Sequence, residues 1–161
     1  MSTRKHSLIY SKKGDTGYTR TVLGRNVRKN DITIQLYGEI DFVLAQFDKT
    51  VALLSSNPLV DKLLPFRKTI ASLFETATTR KVILGNELEE LEQFIDDADI
   101  NLTGFIIFKD LVALEINELR VRVRRLERLF VSADIFNNSL KFINRFSDFL
   151  FVLAYLCENN R

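Results

Sequence analysis

Five arginines and one glutamate occupy the nine residues 120–128, and the other three residues there are apolar. Guanidinium groups bind carboxylates and phosphates through paired hydrogen bonds, so this cluster could hold an anion. At 3.6 residues per turn, one side of a helix would carry Arg120, Arg124, Glu127 and Arg128. So many like charges are unfavourable on an ordered helix unless negative groups face them. The cluster therefore predicts carboxylates of another segment, or the phosphates of a ligand, opposite this face.

Residue types alone leave a second interpretation of the arginine cluster open. Basic helix faces are usually solvated, or they pair with acids of the same chain such as Asp96, Asp97 and Glu127. However, Val121 and Val123 alternate with arginines, so arginines surround the helix. Some of them must therefore point inward or into an interface.

A second candidate for anion binding lies near the N-terminus, at residues 11–17. Gly14 and Gly17 bracket Asp15, with lysines and hydroxyl groups beside them. Glycine lets the backbone approach an anion, lysine adds positive charge, and hydroxyls donate to phosphate oxygens. The spacing differs from that of a Walker A loop. A phosphate-binding loop and a plain turn with solvated lysines both fit this segment.

Two predicted helices carry further polar groups. In the first, Gly38 costs roughly 1 kcal/mol relative to alanine, which favours close packing or the approach of a ligand. Glu39 and Asp41 point in different directions and form no carboxylate dyad. Asp41 could be the counter-charge of an arginine or a solvated acid. In the last helix, residues 144–148 form a polar stripe that suits either a structural hydrogen-bond cluster or a ligand site.

The remaining composition excludes several other functions. His6 and Cys157 are the only histidine and cysteine, so there is no His/Cys metal cluster, no catalytic Ser-His or Cys-His pair and no internal disulfide. The longest apolar run, residues 149–157, is too short to span a bilayer, and the N-terminus lacks a secretory signal. A net charge of +2 does not argue for nucleic acid or an anionic membrane. We expect a soluble, cytoplasmic protein with neither as a partner.

The elements that must position these residues are predicted to be helices. Apolar residues make up 46% of the chain and mostly recur every three or four positions, which indicates a single all-α domain. Asp31, with Asn30, can cap the first helix, and Pro65 either kinks the second helix or marks its start. The predicted helices span about 31–55, 59–78, 86–98, 106–132 and 137–158. They favour a five-helix bundle at 31–161, preceded by an extended basic arm at 1–30.

Four segments in this order resemble the PduO-type ATP:cob(I)alamin adenosyltransferases, a family of trimeric five-helix bundles. The segments are Ile9-Tyr-Ser-Lys-Lys-Gly-Asp-Thr-Gly17, Tyr37-Gly-Glu-Ile-Asp41, Arg124-Arg-Leu-Glu-Arg128 and Phe142-Ile-Asn-Arg-Phe-Ser-Asp148. They are similar to the family motifs Tyr-Thr-Lys-x-Gly-Asp-x-Gly, Gly-Glu-Leu-Asp-Glu, Arg-x-x-x-Arg-Arg-Ala-Glu-Arg and Asn-Arg-Leu-Ser-Asp. Each motif alone is weak, but four in order at compatible spacing identify the fold.

The resemblance implies a homotrimer with its active sites between subunits. The cobalt of reduced cobalamin would attack the 5′ carbon of ATP, giving adenosylcobalamin and triphosphate. Mg²⁺ would lie on the ATP phosphates rather than on protein side chains. The implied ATP-binding residues are Ser11, Lys12, Gly14, Asp15, Gly17, Lys29, Arg124, Glu127 and Asn144. Arg120 would pair with Asp41 across the interface, and these two with Arg124 are the implied catalytic residues.

The corrin side departs from the family pattern. Residues 105–110 lack the proline and glycines of the family's Phe-Ile-Leu-Pro-Gly-Gly segment. Phe105 would stand where the family's aromatic residue displaces the lower axial ligand of cobalt. Asn117, Phe42 and Thr16 replace a histidine, an acid and a lysine. Two alternatives are therefore a paralogue that binds ATP or another ligand at trimer interfaces without adenosylation, and a helical scaffold without a ligand.

Overall fold

Long helices enclose the apolar core in the computed structural model, which describes residues 12, 14–82, 84–100 and 104–159. In chain order, the elements of this part are β1 (Tyr18–Arg20), β2 (Asn26–Arg28), α1 (Ile32–Leu53), α2 (Val60–Leu63), α3 (Phe66–Thr79), α4 (Glu87–Asp97), α5 (Leu111–Ser132) and α6 (Asn138–Glu158). Helix α1 packs against α3 and α5, and α6 packs against α5 and α4. The predicted all-α bundle of five helices is confirmed, with a one-turn helix and a small hairpin added.

Side chains at the helix starts explain where three of the helices begin. The carboxylate of Asp31 accepts a hydrogen bond from the backbone N–H of Thr33 at 2.8 Å, as predicted from the sequence. Asn137 caps α6 in the same way. Asp110 accepts the N–H groups of both Val112 and Ala113. Each cap satisfies donors that have no partner within their own helix.

Two predicted helix boundaries differ from the structure. The segment predicted as one helix at 59–78 is two helices, because Pro65 interrupts it and α3 begins at the next residue. The fourth helix begins at Leu111 rather than near 106, because Asp110 caps it there. The apolar run 105–108 suggested helix from composition. In the structure it belongs to a non-helical segment that leads into α5.

The predicted arm contains a β-hairpin. Strands β1 and β2 pair antiparallel, with Tyr18 opposite Arg28. Gly24 closes the turn between them with a φ of +79°, which glycine adopts without strain. Beyond the strands, the N–H of Lys29 donates to the carbonyl oxygen of Gly17 at 2.9 Å. The hairpin therefore holds the loop at residues 14–17, the glycine loop, beside the start of α1.

Phenylalanine rings fill the centre of the bundle. Phe142, Phe146 and Phe149 stack along α6, with interplanar angles of 12° and 14°. Phe66 of α3 meets this stack, and Phe47 of α1 lies against Phe146. The stack therefore keeps α6 in a fixed position relative to α1 and α3. Among the described helices, none is long and apolar enough to cross a membrane.

The single cysteine should be unreactive while the protein is folded. Cys157 is 6% exposed, and burial, with a smaller effect of Asp110, raises the pKa of its thiol to about 11. Since the thiolate is the reactive form, we expect iodoacetamide to modify Cys157 at pH 8 only after unfolding in urea, as followed by mass spectrometry. Rapid labelling of the folded protein at pH 8 would contradict this expectation.

The same thiol should make the stability depend on pH. The folded state keeps the thiol proton that the unfolded chain loses near pH ~8.5. The free energy of unfolding should therefore fall as the pH rises from there toward 11.

Candidate active site

Two arginines of α5 join this helix to α1. The Nε atom of Arg125 lies 3.0 Å from the Oε2 atom of Glu39. One turn earlier, the guanidinium carbon of Arg122 lies 3.9 Å from the centre of the Phe42 ring, in cation–π contact. Arg122 is half-buried there, whereas the side chain of Arg125 stays 57% exposed, so neither points into the core. They contribute to packing within the protomer.

Glu39 is a buried acid to which the sequence interpretation gave no role. It is 6% exposed, and its Oε1 atom is buried without a hydrogen-bond partner among the described residues. Glu39 lies three residues after Leu36 and four before Val43, on the apolar face of α1. That spacing was the available signal of burial. A buried carboxylate oxygen without a donor is costly, so the contact between α1 and α5 is suited to a further hydrogen-bond donor.

Arg120 faces α6 rather than α1. Its Nε donates to the Oδ1 atom of Asn117 at 2.9 Å, and its guanidinium carbon lies 6.0 Å from the centre of the Phe151 ring. Burial lowers the pKa of Arg120 from its ordinary value, the nearby charge of Arg124 lowers it further, and Asp148 partly opposes both. Arg120 remains a cation at neutral pH, because its ordinary pKa is far above 7.

The next turn of α5 carries the exposed part of the cluster. The side chains of Arg124 and Arg128 are exposed. Between them, the Oε1 atom of Glu127 accepts a hydrogen bond from the Nδ2 atom of Asn144 at 2.8 Å. This bond joins α5 to α6 within the protomer. The structure thus brings four predicted site residues to one face of α5 and α6, the arginine face: Arg120, Arg124, Glu127 and Asn144.

The rest of the polar stripe of α6 is structural. Ser147 is buried and donates to the carbonyl oxygen of Asn144. Asp148 accepts a hydrogen bond at 3.1 Å from Arg145, which also pairs with Glu92 of α4. The hydrogen-bond cluster that the sequence allowed is therefore present. Asn144 at its start bonds to Glu127, and the charge of Asp148 also acts on Arg120.

The glycine loop places Lys29 against its backbone. A Cβ atom on Gly14 would lie 3.1 Å from the Nζ atom of Lys29, so the absence of a side chain there gives the ammonium group room. Gly17 has a φ of +80°, and Lys12 also has a positive φ. Asp15 is exposed on the same loop. These predicted ATP-binding residues lie together, whereas Ser11 lies outside the described residues.

Asp41 and Arg120 do not meet within one chain. Helices α1 and α5 run antiparallel, since Glu39 pairs with Arg125 and Lys49 with Glu115 at 2.8 Å. In this arrangement Arg120 faces α6, while Asp41 is exposed on α1. An ion pair between the two residues is therefore possible only between two copies of the chain.

A mostly apolar cleft of about 560 Å³ adjoins the arginine face. Phe105 is fully exposed at its rim, and Ile107 is 75% exposed. The polar groups of the cleft come from Asn117 and Arg120. Its lining consists of Gly104, Phe105, Ile106, Ile107, Phe108, Leu114, Asn117, Arg120 and Phe151. Such a surface suits a large ligand that is partly apolar and carries hydrogen-bonding groups.

A second cleft, of about 470 Å³, is unsuited to phosphate. It lies between the start of α3 and α4 and is lined by more acids than bases. Its charged residues are Asp61, Lys62, Glu89, Glu90 and Asp97. This excess of negative charge repels a polyanion.

The structure combines a helical bundle with an arginine face, a glycine loop and an apolar cleft. These features agree with the class of nucleotide-dependent transferases that the sequence motifs indicated. The chain is a member of the cobalamin adenosyltransferase family, whose model matches residues 9–157. It is 30% identical to the corrinoid adenosyltransferase of Citrobacter freundii, over 93% of this chain and 94% of that protein. The corrinoid adenosyltransferase of Bos taurus is 28% identical, over 94% of this chain and 72% of its own length.

The fold agrees with solved structures of the same family. A variant PduO-type ATP:corrinoid adenosyltransferase from Lactobacillus reuteri, complexed with cobalamin and ATP, superposes with a TM-score of 0.84 at 26% identity. The match covers 94% of this chain and 93% of that one. A second variant from the same organism, complexed with ATP, gives a TM-score of 0.82 at 25% identity, over 93% of this chain and 94% of that one. The resemblance inferred from four motifs is thereby confirmed.

Proposed function

We propose that the protein transfers the 5′-deoxyadenosyl group of ATP to the cobalt of a reduced corrinoid, at a site shared by two protomers. ATP-dependent adenosylation of a corrinoid is the reaction of the family to which the chain belongs. The observation that carries the site is the continuity between the exposed Arg124, the half-buried Arg120 and the apolar cleft. ATP would bind on the arginine face and the corrin in the cleft beside it.

The chemistry needs charge stabilisation more than acid–base catalysis. The electron pair of cobalt(I) forms the bond to the 5′ carbon, and the pair of the broken C–O bond leaves with triphosphate. Arg124 of one protomer, with Lys12 and Lys29 of the neighbour's loop, would neutralise that leaving group. Glu127 and Asn144 would fix the nucleoside by hydrogen bonds. The loop backbone at Gly14, Asp15 and Gly17 would follow the phosphates.

Mg²⁺ is proposed as a companion of ATP rather than as a resident of the protein. Among the described residues, no group of three or more His, Cys, Asp or Glu side chains is placed to hold a metal ion. Mg²⁺ accepts a few protein ligands together with substrate phosphates and water, so the nucleotide can supply most of its coordination. Bound there, it would offset phosphate charge. Because ATP and a reduced corrinoid are the substrates, we also propose that the protein acts in the cytoplasm.

A homotrimer is proposed because some polar groups have no partner within the described residues. Asp41 is exposed, and no ion pair of its side chain is seen in the described part of the chain, where the Oε1 atom of Glu39 is also a buried acceptor without a donor. Phe42, Leu114 and Val121 expose 41–51% of their surfaces on α1 and α5. Repeating such a contact around a threefold axis would join the loop of one copy to the arginine face of the next.

A charge swap tests the proposed pair between Asp41 and Arg120. We expect Asp41→Arg to dissociate the trimer at micromolar concentration, because it places like charges at each interface. The double variant Asp41→Arg/Arg120→Asp should regain the trimer, since it restores one attraction per interface. Light scattering on size-exclusion fractions measures the molar mass of both variants. If Asp41→Arg stays trimeric, the pair is not at the interface.

The activity is tested by following the corrin spectrum. Purified protein, ATP and chemically reduced cobalamin should give adenosylcobalamin and one equivalent of triphosphate. A second candidate is a paralogue that binds ATP without adenosylation. It is motivated by the full exposure of Phe105 and by Asn117, which stands at the family's histidine position and accepts a hydrogen bond from Arg120. Nucleotide binding in calorimetry without conversion of the corrin would favour this paralogue and reject the transferase.

A further inference from the structure

A carboxylate at the end of α6 holds the segment that carries Phe105. The Oε2 atom of Glu158 accepts the backbone N–H of Lys109 at 2.8 Å and that of Asp110 at 2.9 Å. Two successive amides that converge on one oxygen form a small anion-binding site, which the protein fills with its own side chain. Asp110 in turn caps α5. One glutamate therefore joins the end of α6, the segment 104–110 and the start of α5.

The same segment has two apolar attachments and two exposed side chains. Phe108 is 8% exposed, and its ring meets Phe151 of α6 edge-on, with 6.1 Å between the ring centres. Ile106 is partly buried and packs against the core. Phe105 is fully exposed, and Ile107 is 75% exposed. The segment is thus attached at Ile106 and at residues 108–110, and it presents the side chains of Phe105 and Ile107 at the cleft.

We propose that Glu158 is a positioning residue for the corrin half of the reaction, an inference that rests on the proposed function and deepens it. It sets the direction in which residues 105–107 leave their attachment, and hence the place of the Phe105 ring over the cleft. An extended chain advances about 3.4 Å per residue, so Phe105 lies up to about 14 Å from Lys109. A displaced attachment therefore shifts Ile106 on the core, and with it the ring of Phe105.

The attachment also relates the two halves of the site. Helix α6 carries Asn144 on the arginine face, Phe151 in the cleft and Glu158 at its end. These residues span about 21 Å of a helix that rises 1.5 Å per residue. Because α6 is rigid and packed in the core, it can place a nucleotide contact and a corrin contact at a fixed separation.

Three variants of Glu158 distinguish reach from charge. Glu158→Gln keeps an oxygen at the same reach and should retain both amide hydrogen bonds. Glu158→Asp keeps the charge but withdraws the oxygen by one methylene. Glu158→Ala removes the acceptor. We expect the KM for reduced cobalamin to rise at least tenfold in the Asp and Ala variants and to stay within threefold in the Gln variant. The KM for ATP should stay within twofold in all three.

A matched control and a second readout separate positioning from general stability. Glu75→Ala removes an exposed glutamate of α3 and should change neither KM. Hydrogen–deuterium exchange of the ligand-free trimer should speed up at residues 104–110 in Glu158→Ala, with α5 and α6 unchanged. Equal rises of both KM values, a Gln variant as impaired as the Ala variant, or an unchanged corrin KM would overturn the proposal. If the wild type does not convert cobalamin, the proposed function itself fails.

Discussion

Replacing Arg124 by alanine should lower kcat/KM for ATP by roughly 10²–10³-fold, because it removes a donor to the departing triphosphate. Arg124 is exposed and makes no hydrogen bond or ion pair within the described residues. Its loss should therefore leave the fold and the oligomer unchanged. Arg124→Lys should keep the charge but lose paired hydrogen bonding, and its activity should lie between those of the wild type and the alanine variant.

Steady-state kinetics and ATP calorimetry measure this effect, with Arg67→Ala as the control. Arg67 pairs with Asp48 between α3 and α1, far from the arginine face. Its removal changes the net charge equally and breaks only an exposed ion pair, which contributes little to stability. The control should bind ATP normally. A scaffold without a ligand would give the opposite result, in which Arg124→Ala loses assembly while ATP has no measurable affinity for either protein.

Replacing Phe105 by alanine should reduce kcat with reduced cobalamin by roughly 10²-fold, because a misplaced or uncovered cobalt loses the orientation and water exclusion that the ring supplies. The ring is fully exposed, so its loss should not affect the free energy of unfolding. The KM for ATP should stay unchanged, since Phe105 lies at the rim of the cleft rather than on the arginine face.

Ile107→Ala is the matched control for Phe105, since both residues are exposed at the same rim. The isoleucine variant removes apolar surface without removing an aromatic ring. It should raise the KM for cobalamin modestly and leave kcat within about threefold. Absorption spectra of bound cobalamin provide a direct view of its lower axial ligand. Full activity of Phe105→Ala would assign the ring no part in the reaction.

The helices could be predicted because their signals are local. Asp31 caps α1 as predicted, and Pro65 marks the start of α3, which is one of the two possibilities that the sequence left open. The hairpin could not be predicted, because strands of three residues carry too short a period. The start of α5 was placed too early for a different reason. Residues 105–108 are apolar as a buried helix would be. The hydrogen bonds of Glu158, which is distant in the sequence, hold the next two residues, Lys109 and Asp110, and Asp110 caps α5 there.

The candidate site was predictable in its residue types and only partly in its geometry. Spacing on one helix brings Arg120 and Arg124 together, and the structure adds the hydrogen bond between Glu127 and Asn144. The partner of Arg125 was missed, because Glu39 lies on a different helix. Its spacing indicates burial, but the packing of α1 against α5 decides which arginine it meets. What a second copy contributes cannot follow from one chain, and the roles proposed for these residues therefore stay predictions.

The central claim is that each active site combines the loop of one protomer with the arginine face of another. Lys29→Ala damages only the loop, and Arg124→Ala damages only the face, so each variant alone should be nearly inactive. After the two are unfolded, mixed in equal amounts and refolded, about one quarter of the head-to-tail interfaces should contain an intact loop and an intact face. The account predicts recovery of about a quarter of wild-type adenosylation. Activity that stays at the average of the two parents would place both residues in one chain's site and contradict the account.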